Sequence, residues 1–205
     1  MAVNLSYGEA KVKIKLVFVL LLAIAGSGCA LTQTVKQVDY VPSVDREAAA
    51  KISGKAVQIG LFGDNRGVEN PALLFNKKNM YNNTMSGAYL APKPLVEYVK
   101  DGVSASLKEA GVFSDTSGLV LTASLEDFDE EILMGFWSSK MRTKMTVRFS
   151  LHDGSRQIWN DTIIGKALIE KGDFVKQAVT LTTDDVVKQL MNNEQFKAAI
   201  SGSEK

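Results

Sequence analysis

The chain has 205 residues, 45% of them hydrophobic and 23% charged, which suits one globular domain with processing segments. Its net charge is +1, and removing the first 28 residues, which hold Lys11, Lys13 and Lys15 against Glu9, leaves 21 basic against 22 acidic residues, a balance that disfavours a nucleic-acid partner. The single cysteine excludes an internal disulfide framework and the single histidine a His-rich metal site, so no cofactor is expected.

At the N-terminus, Lys11-Val12-Lys13-Ile14-Lys15 precedes an apolar run over residues 16 to 25, then Gly26-Ser27-Gly28. An apolar run of roughly ten residues is too short for the ~20 that span a bilayer, so residues 1 to 28 read as a removable signal peptide. Cys29, directly after Ser27-Gly28, resembles the lipobox cysteine of bacterial lipoproteins, which becomes the first mature residue and carries acyl chains such as palmitate on sulfur and nitrogen. Gly26 stands where that motif usually has Leu, and Ala23-Ile24-Ala25 offers a competing cleavage site that would release a soluble protein. Acylation at Cys29 would exceed the two signals that stable anchoring takes. No Asp follows Cys29, and by resemblance to enterobacterial lipoproteins this implies the outer membrane, with the domain facing the periplasm.

Residues 29 to 54 are polar and irregular around Pro42, with a short helical tendency at residues 46 to 50, and read as a lipidated N-terminus and tether. The globular domain is expected over residues 55 to 201. Alternation over residues 56 to 62 predicts a strand ending in Gly63-Asp64-Asn65-Arg66-Gly67. Residues 68 to 91 show no period and carry Phe75, Tyr81 and Tyr89, which makes them either a binding loop or an insertion that covers the sheet. Pro94 suits a first helical turn, Leu95, Val99, Val103 and Leu107 recur every four residues, and Gly111 closes the helix. Three alternating runs follow: residues 119 to 126, 140 to 151 and 158 to 169, the last two joined by His152-Asp153-Gly154-Ser155. A helix over residues 173 to 191 places Val175, Ala178, Val179, Thr182, Val186 and Leu190 on one face, and a short helix over residues 194 to 200 ends the domain. The order predicts an α+β two-layer sandwich, a largely antiparallel sheet of about four strands with two main helices on one face.

The run Glu126-Asp127-Phe128-Asp129-Glu130-Glu131 raises the prospect of paired carboxylates. A chain reversal near Gly135 would set Leu121 opposite Phe149, Ala123 opposite Val147 and Leu125 opposite Met145, and would pair Glu126 with Lys144 and Glu130 with Lys140. Cross-strand ion pairs then explain the run without catalysis. The same reversal leaves Phe136 and Trp137 at a hairpin tip, where they either contact a partner or fold back on the core. Neither a P-loop, a G-x-G-x-x-G nor a G-x-S-x-G occurs, so no catalytic residue is assigned.

Cys29, the strand ending Asp64-Asn65-Arg66, the helix ending Leu107-Lys108-Glu109-Ala110-Gly111 and the final Asn193-Glu194-Gln195-Phe196 together resemble the YajG family of uncharacterised lipoproteins over about residues 56 to 200. Residues 67 to 89 are longer than that family's pattern. The resemblance implies membership of a wider group that includes auxiliary lipoproteins of lipid-transport ABC systems and the lipoprotein plug of the lipopolysaccharide translocon. The expectation is a non-enzymatic accessory protein, anchored by lipid on Cys29, with an envelope protein as partner and Phe136, Trp137, Tyr81 and Tyr89 as candidate contacts. The alternative is an auxiliary of lipid transport or lipopolysaccharide export.

Overall fold

The computed structural model describes residues 32–79, 81, 83–134 and 139–202. In chain order the elements are β1 (Thr34–Val35), α1 (Arg46–Ala50), β2 (Val57–Asp64), β3 (Leu73–Lys78), β4 (Thr84–Leu90), α2 (Leu95–Glu109), β5 (Leu119–Met134), β6 (Ser139–Asp153), β7 (Arg156–Ile169), α3 (Phe174–Asn192) and α4 (Glu194–Ser201). Four strands make the larger sheet in the order β2-β5-β6-β7, with β2 parallel to β5 and the other pairs antiparallel. Three make a smaller one in the order β1-β4-β3. The α+β sandwich expected from the chain order is the one observed.

The inward residues of the long hairpins are those the alternation marks: Leu119, Leu121, Leu125, Met145, Val147, Phe149 and Leu151 are all buried. Their register differs from the predicted one. Leu121 lies opposite Leu151, Ala123 opposite Phe149 and Leu125 opposite Val147, and Met134 pairs with Ser139 at the far end. A slip of two residues keeps every side chain on its face, so the hydrophobic pattern cannot detect it. A bulge between Leu125 and Asp127 then adds one residue to β5, so that Phe128 and Glu130 take inward places beyond it.

Helices α2 and α3 cover this inner face with the predicted stripes, Leu95, Val99, Val103 and Leu107 from one and Val175, Val179, Val186 and Leu190 from the other. Pro94 is the residue before α2 rather than part of its first turn, and Gly111 adopts φ 70° after its end, as a C-terminal glycine does. Strand β7 and α3 meet at backbone distance: a Cβ on Gly165 would lie 2.5 Å from the Thr182 carbonyl oxygen. Beside it the hydroxyls of Thr143 and Thr182 share a buried hydrogen bond of 2.6 Å.

Two regions depart from expectation. Residues 68 to 91 are not a loop but contain the β3–β4 hairpin, its irregular register explaining why no period shows. The segment read as a tether is folded from Thr34 onward: β1 pairs with β4, and Val38, Ala48, Ala49 and Ile52 are buried. Tyr40 packs edge-on against Tyr98, with ring centroids 5.9 Å apart, and its hydroxyl donates to Asp184 at 2.8 Å. Gly102 leaves room for that hydroxyl, since a Cβ there would approach it to 2.7 Å. This strap joins the core through scattered residues, without the repeat that a helix or long strand shows in sequence.

Candidate functional site

Where the small sheet leans on the far end of the large one, a cleft of about 470 Å³ opens. Phe75, Lys78 and Tyr89 come from β3 and β4, Glu130, Ile132 and Met141 from the large sheet, and Asp173, Phe174 and Val175 from the start of α3; Lys36, just after β1, completes the rim. Aromatic packing holds the two sheets together here. The rings of Phe75 and Phe128, tilted 34° to one another, lie 6.1 Å apart across the sheets, and Phe75 meets Tyr89 edge-on at 5.6 Å.

Glu130 is the chemical centre of the cleft. Its side chain is 6% exposed, and Lys78 donates both to its carboxylate at 2.8 Å and to its own carbonyl oxygen at 2.9 Å. Burial pushes the Glu130 carboxyl above its ordinary range, an effect that the hydrogen bond and positive charge of Lys78 oppose. The bulge explains its position. By strand parity from Leu125, residue 130 would face solvent; the extra residue turns it inward.

Three other acidic residues of the run form cross-strand ion pairs, with partners other than those predicted. Asp127 meets Lys144 at 3.1 Å, Glu131 meets Arg142 at 2.9 Å and Glu126 lies 3.8 Å from Arg148, all on the outer face. Lys140, expected opposite Glu130, pairs with Glu170 instead. Asp64-Asn65-Arg66 contains a second buried pair: Arg66 grips Asp64 at 2.7 Å and donates to the carbonyls of Pro71 and Leu73, clamping the connection into β3.

Of the residues singled out from sequence, Tyr89 lines the cleft and Tyr81 stands 76% exposed at the end of the β3–β4 hairpin. Cys29, Phe136 and Trp137 lie outside the described residues. Sequence reasoning missed Lys78, whose place in a region without period gave no signal, and the inward turn of Glu130. Lys36 was missed because it belongs to the strap. A wider groove of about 810 Å³ at the opposite end is lined by Lys55, Arg156, Trp159 and Glu194, and holds no buried ion pair. Among the described residues, no group of three or more His, Cys, Asp or Glu side chains comes together to hold a metal ion, and no helix is long and apolar enough to cross a membrane.

No protein-family model matches the chain, and no curated protein matches it. Among solved structures, one from Xanthomonas campestris assigned to the DUF330 family is similar at a TM-score of 0.52 and 12% identity, covering 83% of this chain and 97% of that one. The likeness is one of fold. An uncharacterized protein aligns at 11% identity and a TM-score of 0.41, over 82% of this chain and 97% of its own. A hypothetical protein of Chlamydia trachomatis aligns at 10% identity and a TM-score of 0.35, over 73% and 99% respectively.

Proposed function

We propose that this is a lipid-anchored, non-enzymatic accessory protein of the bacterial envelope, held to the outer membrane through Cys29, whose periplasmic domain binds another envelope protein. The signal segment and Cys29 support the location. The observation that carries the binding role is the cleft between the sheets, which combines an apolar wall of Phe75, Ile132, Met141 and Phe174 with a few placed charges, the usual composition of a recognition site. The engagement of Glu126, Asp127 and Glu131 in outer-face ion pairs favours binding over acid–base chemistry. The YajG-like resemblance belongs to this same reading. The apolar wall favours one second reading, an auxiliary of lipid transport.

Photo-crosslinking in intact cells separates these readings. A crosslinking amino acid at Tyr89 or Ile132, and at Phe136 or Trp137, is expected to capture one envelope protein by mass spectrometry, while the same group at Ser155, in the turn between β6 and β7, captures none. Recovery of lipid alone from the cleft positions, with none captured by the same group at Tyr81 on the hairpin, moves the reading to lipid transport. Equal background capture at every position defeats both.

A further inference from the structure

The short path from the anchor to the folded domain constrains how the domain can sit. Strand β1 runs parallel to β4, pairing Thr34 with Tyr89 and Val35 with Leu90 at the end of β4, so the N-terminal end of β1 faces the side of the β3–β4 turn. Five residues separate Thr34 from Cys29, and at most about 3.6 Å per residue they reach no further than about 18 Å. Nothing after Thr34 supplies slack, because Lys36 donates its backbone N–H to Leu90 at 2.8 Å, Val38 is buried and Tyr40 is tied to Asp184.

The hairpin turn that this end of β1 faces has its own chemistry. In a chain with 23% charged residues, residues 79 to 92 contain no Asp, Glu, Lys, Arg or His, and neither do residues 29 to 35. The Asn79 side chain accepts hydrogen bonds from the N–H groups of Tyr81 and Asn83, each at 3.0 Å. The hairpin presents Tyr81 to the outside. Val35, at the entry, is 63% exposed. Lys77, two residues before Asn79, places its ammonium 5.4 Å from the ring of Tyr89, back along the hairpin. An exposed tyrosine on an uncharged stretch of chain, with lysine ammonium groups turned back from it, matches the depth profile of a membrane interface, where aromatic rings sit at headgroup level and charges stay in water.

Resting on the lipid-anchored reading above, we infer that the β3–β4 hairpin docks into the headgroup layer of the phospholipid membrane that carries the Cys29 anchor, with Tyr81 as its contact. The domain then lies against the membrane with the cleft end toward lipid and the β6–β7 turn directed away, at the far end of a strand about 45 Å long.

Spin labelling of the full acylated protein tests this. With Cys29 acylated, Tyr81→Cys, Thr84→Cys and Ser155→Cys each supply one free thiol. In vesicles of phosphatidylethanolamine and phosphatidylglycerol, the ratio of oxygen to nickel-chelate accessibility is expected to be several-fold higher at 81 and 84 than at 155. Equal, water-like ratios at all three positions in a protein that floats with the vesicles would overturn the docking and leave the anchor standing. A mature protein without acyl mass that fails to float overturns both. Labels at two hairpin positions guard against a local distortion at either.

Discussion

Glu130 and Lys78 form a pair whose worth depends on both members. Each is removed from water, and the desolvation this costs is offset only while the partner and its hydrogen bonds are present. Lys78→Met therefore leaves a buried carboxylate without its cation, and a loss of about 3 kcal/mol is expected in urea unfolding at pH 7. The pH dependence follows from burial, which already raises the Glu130 carboxyl and raises it further once Lys78 is gone. A group whose folded pKa lies above its unfolded value favours folding below the unfolded value and loses that advantage as pH rises through the folded one. The deficit of Lys78→Met is thus largest at neutral pH and narrows on acidification, and Lys78→Met combined with Glu130→Leu recovers most of it. A deficit independent of pH, or a double variant no better than the single, would contradict the assignment. None of this was legible in the acidic run, since a bulge at Glu126 changes which residues face inward without altering composition.

The elements themselves were more legible than their contacts. Helices α2 and α3 each carry an apolar stripe at helical spacing, and those stripes are the buried ones. Gly111 was readable as the close of α2, whereas Asp173, expected as the first residue of α3, caps it instead and accepts hydrogen bonds from the N–H groups of Val175 and Lys176. What the pattern did not show is how α3 shields the edge of β7. Asp185 accepts the Lys166 N–H at 2.8 Å and Gln189 donates to the Ile164 carbonyl at 2.9 Å, so backbone groups that would invite another strand are engaged. This fit depends on Gly165, where any side chain meets helix backbone and the Val186 side chain. Gly165→Ala is expected to cost on the order of 3 kcal/mol in thermal or urea unfolding, because the element must shift to admit one methyl group. At Gly63, where a Cβ meets nothing within 4 Å, the same substitution is expected to cost far less.

At the scale of the whole molecule, the strap decides where the domain can go. Had residues 31 to 51 been a free tether, about 20 extended residues would have given a reach of some 70 Å. Instead the chain is already paired into the small sheet at Thr34, and the proposed anchor is close-coupled. Cys29→Ser is expected to move the protein from the membrane fraction to the soluble fraction, and intact mass of the wild-type protein is expected to show acyl chains on a chain beginning at residue 29. A soluble, unacylated wild type beginning at Gly26 would place cleavage at Ala25 and remove the anchor from the proposed function.

Local structure declared itself in the sequence: two amphipathic helices, and alternating strands that choose the inner face of a sheet. These signals are carried by residues close in the chain, and periodicity reports them faithfully. Tertiary structure alone decided the bulge that turns Glu130 inward, the union of Lys78 with it across the two sheets, and the strap that binds through scattered residues such as Val38 and Tyr40. Each of those depends on groups far apart in sequence, with no repeat to mark the meeting, so their pairing follows from packing and not from pattern.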